Sequence, residues 1–224
     1  MSKVSRGEKG EELVISSLNK IKEYHHLLND VTFVNDKSEM THQIDHILIH
    51  PHGVFVIETK NYYGKITLVP HETYWIKEVN KEKVKISNPL KQNKSHQVMV
   101  NRILKGNFDV VSLVVFVKNN APYMPDDNVI NLEDLLLFIE SYPFKKKISK
   151  TDIDKIGALL QRKTQEIDRE THIENIGYLK QMKEEFRQEM SFAIENNICP
   201  RCKSKIVRRG YIFQCSKCDF NFKL

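Results

Sequence analysis

Residues 43–60 read QIDHILIHPHGVFVIETK, two apolar runs at 44–49 and 54–57 flanking His50-Pro51-His52-Gly53. Proline and glycine between strand-like runs predict a hairpin with its loop at 50–53. Because side chains alternate along a strand, Asp45 shares a face with Ile47 and Ile49, while Glu58 and Lys60 continue the face of Val54 and Val56. Pairing Ile49 with Val54 then sets Asp45 opposite Glu58. Directly opposed side chains lie about 5 Å apart at Cβ, where like charges repel. A cation between the carboxylates would compensate, with Lys60 on the same face; a one-residue slip would instead leave Asp45 solvated at an edge.

The same reading extends along the chain. Ser5 with Glu8 forms a capping box opening a helix that runs to about Lys22, and its buried stripe of Val14, Leu18 and Ile21 reaches back to Glu11. Glu8 and Glu12 point toward the side of Ile15. Residues 31–34 predict a first strand, and 64–69, 73–78 and 83–86 short strands extending an antiparallel meander that packs Trp75. Asn88-Pro89 starts a helix ending at Gly106, with Gln92 in its first turns. The β-branched run 110–117 predicts a strand buried on both faces, followed by a strand at 129–131 and a helix at 132–141. The sum is an α/β fold, a mixed central sheet flanked by helices.

Pro143 and three consecutive lysines interrupt the apolar pattern at 142–150. Two helices, 151–165 and 169–196, follow as a helical linker. The second carries Ile176, Leu179, Met182 or Lys183, Phe186, Met190 and Ile194 at helical spacing, a stripe that would pack on the preceding domain or on a second copy in a homodimer. The expected domains are 5–141, 151–196 and 197–224. No apolar run reaches the roughly 18 residues that span a bilayer, and the first residues lack the apolar stretch of a signal peptide, so a soluble, cytoplasmic protein without membrane contact is expected.

Composition changes the picture only at the C-terminus. Of a net charge of +6, residues 199–224 hold seven basic side chains against Asp219, and the preceding residues balance. All four cysteines fall there as Cys199-x-x-Cys202 and Cys215-x-x-Cys218, the spacing of two knuckles around a structural zinc. Tyr211 and Phe213 alternate amid Arg201, Lys203, Lys205, Arg208, Arg209 and Lys217. Aromatics could stack on bases while the cations follow phosphates, or the rings could form a small core around the zinc. His42, His46, His50 and His52 have a spacing that aligns ligands on a helix. On a strand face opposite Asp45 they are not expected to bind metal.

Asp45 followed by Glu58-Thr59-Lys60 resembles the signature of the PD-(D/E)XK nucleases. Gly7-Glu8-Lys9-Gly10-Glu11, Gln43-Ile44-Asp45, Ile57-Glu58-Thr59-Lys60-Asn61 with Gly64, and Asn88-Pro89-Leu90-Lys91-Gln92 resemble more narrowly the NERD (nuclease-related) domain, over roughly residues 5–118. The resemblance implies a restriction-endonuclease-like fold and a DNA endonuclease using Mg2+ or Mn2+. Asp45, Glu58, the Thr59 carbonyl and Glu11, with Glu8 in reserve, would hold the metal. Lys60 would orient or deprotonate water and stabilise charge, and Gln92 would orient water or a phosphate. The cysteine module resembles the zinc ribbon of bacterial type I topoisomerases. DNA is expected ahead of RNA as partner; a non-catalytic DNA-binding protein and an RNA-directed factor are the alternatives.

Overall fold

Strands β2 (Thr41–His50) and β3 (Gly53–Lys60) form the expected hairpin in the expected register, Ile49 opposite Val54. Only Pro51 and His52 remain as the turn, because His50 and Gly53 also pair. The computed structural model describes residues 5–35, 41–68, 72–122, 128–144, 146–164 and 169–223, which fall in two compact units, Met1–Ile167 and Asp168–Leu224.

In the first unit β1 (His26–Val34) runs antiparallel to β2, and β7 (Val110–Phe116) and β8 (Val129–Asn131) run parallel to β3, giving the order β1-β2-β3-β7-β8. The central hairpin is buried on both faces, which explains its nearly continuous apolar runs. On one face Ile44, Ile47, Ile49, Val54 and Val56 meet Met99 and Val100 of α2 (Pro89–Ile103) and Ile153, Ile156 and Leu160 of α4 (Lys150–Lys163). On the other, Leu48, Phe55 and Ile57 meet Val14 and Leu18 of α1 (Arg6–Leu18) and Leu135 and Ile139 of α3 (Leu135–Ser141). Helix α4 thus lies in the core of the first unit, where its apolar stripe is consumed, instead of serving as a linker.

Two further expectations are corrected. Strands β4 (Lys65–Thr67), β5 (Tyr74–Val79) and β6 (Glu82–Ser87) form their own antiparallel sheet, since the free edge of β3 is taken by β7. Trp75 is fully buried there and stacks on Phe116 with ring centroids 6.4 Å apart. Alternation also breaks within β2. The ladder with β1 skips the Asp30–Asp45 pair, and Asp30 has a positive φ of 49°. Ile44 therefore joins the same cluster as Ile47 and Ile49, and Asp45 sits at the break.

In the second unit α5 (Arg169–Asn196) leads into β9 (Ile206–Arg209), β10 (Ile212–Cys215) and β11 (Asn221–Lys223), an antiparallel sheet with β10 central. Met190 and Ala193 are buried, and Ile194 packs on Ile206 and Phe213. Of the stripe on α5, Met182 and Phe186 are exposed, and the side chains of Ile176, Leu179 and Lys183 lie outside the described residues. No helix among the described residues is long and apolar enough to cross a membrane.

Candidate active site

Asp45, Glu58 and Lys60 meet where β3 stops pairing with β2. The last laddered pair is His46–Ile57, and the same register continued one step sets Asp45 opposite Glu58. The Thr59 N–H donates to Asp45 Oδ2 at 2.7 Å. The site lies at the carboxyl ends of β3 and its parallel neighbour β7, where open α/β sheets form clefts.

Glu58 is 2% exposed. Lys60 Nζ donates to Oε1, while Oε2 is buried without a hydrogen-bond partner and 3.7 Å from His96 Nδ1. Burial, and then the Glu58 charge, push the Asp45 carboxyl well above the usual aspartate range; the Thr59 N–H and Lys60 pull the other way, and Glu11 adds to the push. Burial opposes charge on Lys60, but Glu58, Tyr62 and Asp45 outweigh it and hold the ammonium protonated far above neutrality. A buried carboxylate oxygen without a hydrogen bond, close enough to raise a second carboxyl, is chemistry that suits a hard cation bound by oxygen. Asp45, Glu58 and Glu11 do not, however, hold three ligand atoms within 4.8 Å of one another.

Glu11, half-buried, is the helix glutamate whose charge reaches Asp45. Glu8 is exposed and is held by its capping box, its Oε2 accepting from Ser5 N at 2.6 Å. Gly10 explains the close approach of α1: a Cβ there would lie 2.9 Å from Asn61 Cβ. Asn61 in turn donates to the Arg6 carbonyl at 2.7 Å, fastening α1 to the end of β3. Gly64, at φ 88°, is fixed by a similar limit, since a Cβ would fall 2.1 Å from the Glu78 carbonyl oxygen.

Helix α2 supplies the opposite wall. Asn88 caps it, with side-chain Oδ1 accepting from Leu90 and Lys91 N–H, and Pro89 takes the first position. Buried Asn93 donates to the carbonyls of Val56 and Leu113, at 2.9 and 3.0 Å, strapping α2 across β3 and β7. Gln92 Oε1 then lies 3.5 Å from Lys60 Nζ, and His96 one turn later reaches Glu58. Sequence reading missed both Asn93 and His96. His96 stands four residues after Gln92, on the same helical face, and that spacing was the available signal.

The histidines of β2 do not converge as a group. His42 meets His96 edge to face at 5.7 Å, on the same side as Glu58. His46 is pinned between Asn29 Oδ1 and Thr59 Oγ1 at 2.8 and 3.1 Å, and burial pushes its pKa down to about 4 against the pull of Asp30. His50 and His52 lie at the turn, away from Asp45.

The four cysteines gather within the second unit, all four sulfurs within 4.8 Å of one another. The Cys199–Cys218 and Cys202–Cys215 sulfurs are 3.7 and 3.4 Å apart, with no disulfide. Tetrahedral thiolates about 2.3 Å from zinc stand about 3.8 Å apart, so the cluster fits that ion. Ser204 pulls Cys202 down to about 6, and the Lys217 and Cys218 N–H groups donate to Cys215 Sγ at 3.3 and 3.4 Å, favouring those two thiolates. The Phe220 N–H pulls Cys218 the same way, but burial and the neighbouring cysteines outweigh it and push that thiol up to about 12. Phe213 is buried and stacked on Phe222, so it is core and not a base-stacking surface; Tyr211 is exposed. Arg201 pairs with Asp219 and Lys203 with Glu189, and Arg208 bends back to the Gly210 carbonyl. Lys205, Arg209 and Lys217 are exposed.

No solved structure matches the chain significantly. An uncharacterized protein of Bacillus anthracis is 33% identical over 144 residues, spanning 61% of this chain and 67% of that protein. The family model described as nuclease-related domain matches residues 6–117, the span that holds Glu11, Asp45, Glu58, Lys60 and Gln92. The chain therefore belongs to the nuclease-related domain (NERD) family.

Proposed function

We propose that this protein is a divalent-metal-dependent nuclease of PD-(D/E)XK type, hydrolysing phosphodiester bonds in DNA and carrying a zinc ribbon that adds nucleic-acid affinity. The observation that carries the reading is a buried Glu58 whose Oε2 has no hydrogen bond and whose charge acts on Asp45, one register step beyond the last laddered pair His46–Ile57. Helix, three antiparallel strands, helix and a parallel strand in chain order support a restriction-endonuclease-like fold.

Asp45, Glu58 and Glu11, with the Thr59 carbonyl, would hold Mg2+ or Mn2+, which when bound supplies a Lewis acid for the scissile phosphate and an acidified water. Asp45 accepts from Thr59 N–H and so keeps one oxygen fixed. Lys60, paired with Glu58, would present its ammonium to the phosphate oxygens or orient the attacking water. Gln92, against Lys60, orients that ammonium or the water it contacts.

The Lys60–Glu58 ion pair favours a second reading, since it part-neutralises the site without a metal, as a non-catalytic nucleic-acid-binding protein would require. Incubation of the purified chain with plasmid, linear and single-stranded DNA in Mg2+ or Mn2+ separates the two. Cleavage by wild type that falls about 100-fold or more in Lys60→Ala supports the enzyme. No cleavage, or equal cleavage by the variant, sinks it; RNA competition against DNA of equal length tests the substrate.

A further inference from the structure

Glu23, His50 and His52 converge at the turn of the β2–β3 hairpin, their ligand atoms within 4.8 Å of one another. They stand about five residues from Asp45 along β2, roughly 17 Å at strand rise, so they form no part of the carboxylate site. Glu23 follows α1, His50 ends β2 and His52 is the second turn residue.

Four features of this cluster point to a cation. His52 Nδ1 lies 3.0 Å from the Ile139 carbonyl. A carbonyl can only accept, so Nδ1 donates to it and Nε2 is the ring atom left to meet a ligand. That nitrogen faces Glu23 Oε2 at 3.9 Å, too far for a hydrogen bond. His50 Nε2 is 3.2 Å from the same oxygen, yet it is fully buried and makes no hydrogen bond. Lys147 Nζ takes the other carboxylate oxygen at 3.1 Å, leaving Oε2 as a single ligand atom.

Ligands about 2.0 Å from a tetrahedral ion stand about 3.3 Å apart, close to the separations of 3.2 and 3.9 Å found here. We propose that Glu23, His50 and His52 form a metal site for a first-row divalent transition ion such as Zn2+, bound through two imidazole Nε2 atoms and one carboxylate oxygen. Imidazole donors set its preference apart from that of the all-oxygen carboxylate pair. The Ile139 carbonyl orients His52 from behind, and Phe144 stacks on its ring at 4.5 Å. Glu23 is 42% exposed, which leaves a fourth position open to water.

Proton bookkeeping sets a cost. The His52 N–H points at His50 Nδ1 from 3.2 Å, which places the His50 proton on Nε2. Ion uptake shifts that proton to Nδ1 and loosens the contact, and Lys147 beside Glu23 repels the incoming charge. The bound ion would clasp the segment after α1 to the hairpin turn. Ile148 N–H already donates to the Pro51 carbonyl there at 2.8 Å.

The test is zinc stoichiometry of the reduced full-length chain, by equilibrium dialysis in excess Mg2+ so that the carboxylate pair is saturated. Glu23→Gln, which keeps an acceptor for Lys147, and His52→Ala are each expected to hold one equivalent fewer than wild type. Asp45→Asn is expected to retain that equivalent, whether or not the cysteine cluster is filled. Equal stoichiometry in wild type and Glu23→Gln overturns the proposal. So does loss of the equivalent in Asp45→Asn with retention in Glu23→Gln. Circular dichroism of Glu23→Gln with its wild-type signal separates ligand loss from unfolding.

Discussion

The carboxylate site and the cysteine cluster gather like groups in opposite ways. Asp45 and Glu58 are brought together by a sheet buried on both faces, a core that exists whatever sits between them. The cysteines lie in a module whose buried core is little more than the ligands themselves, Cys199 and Cys215 with Ile206 and Phe213. A large core can impose electrostatic repulsion on its functional groups and still fold, whereas a small one must be held by what it binds. If each holds a metal as proposed, its loss should unfold the cysteine module but leave the first unit folded with its carboxylates uncompensated.

The sharpest break in that comparison is Cys202→Ser. A three-thiolate site holds zinc poorly, so β9–β11 should lose its structure almost entirely, read as loss of amide protection and rapid trypsin cleavage after Arg208 or Arg209. The first unit should melt as in wild type. If the hairpins persist in the variant or under chelation, the module has a sufficient core of its own.

Deleting 199–224 asks whether the basic module contacts nucleic acid. Of the six exposed cations described there, Lys205, Arg209 and Lys217 have side chains tied to no other group by an ion pair or hydrogen bond among the described residues. At about 0.7 to 0.9 per phosphate, their loss should reduce the salt slope of log affinity by about 2 to 3 while the cleavage step is nearly unchanged. An unchanged slope would point to a protein partner instead.

Gly10→Ala probes how the larger core positions its site. The added methyl, 2.9 Å from Asn61 Cβ, should push α1 from the end of β3 and cost about 1 to 3 kcal/mol, measured by denaturant unfolding, with weaker metal affinity as Glu11 retreats. Retention of both would show that the helix accommodates the methyl.

The smallest effect is the most diagnostic. Asp45 is raised in the folded state, so the native protein binds its proton more tightly than the unfolded chain. Metal-free stability should then fall as pH rises from the ordinary aspartate range near 4 toward the raised native value. Asp45→Asn should flatten that fall and melt slightly higher than wild type without metal, and added Mg2+ should stabilise wild type more than the variant. A variant that instead unfolds in metal-free buffer would make the carboxylate structural.

Local pattern carried much of this protein because some constraints are local. The hairpin register follows from Pro51 and Gly53 between apolar runs, the α1 capping box from Ser5 and Glu8, the α2 start from Asn88-Pro89, and the cysteine cluster from its two knuckles. Periodicity likewise set Glu11 nearer the buried stripe of α1 than Glu8, and the structure has Glu11 half-buried and Glu8 exposed in its capping box.

What only the tertiary structure decided depends on residues far apart in the chain. The break at Asp30 that undoes alternation at Asp45, the placing of β7 rather than the meander beside β3, and the burial of α4 all depend on which distant segment packs on a given face or edge. Asn93 and His96 read as ordinary polar helix positions until α2 is laid across the sheet. Glu23 meets His50 and His52 only through the fold, since strand alternation says nothing about a residue brought in by another element. Sequence fixes the conformations that a few neighbouring residues can choose among; long-range packing fixes which side chains then share one small volume.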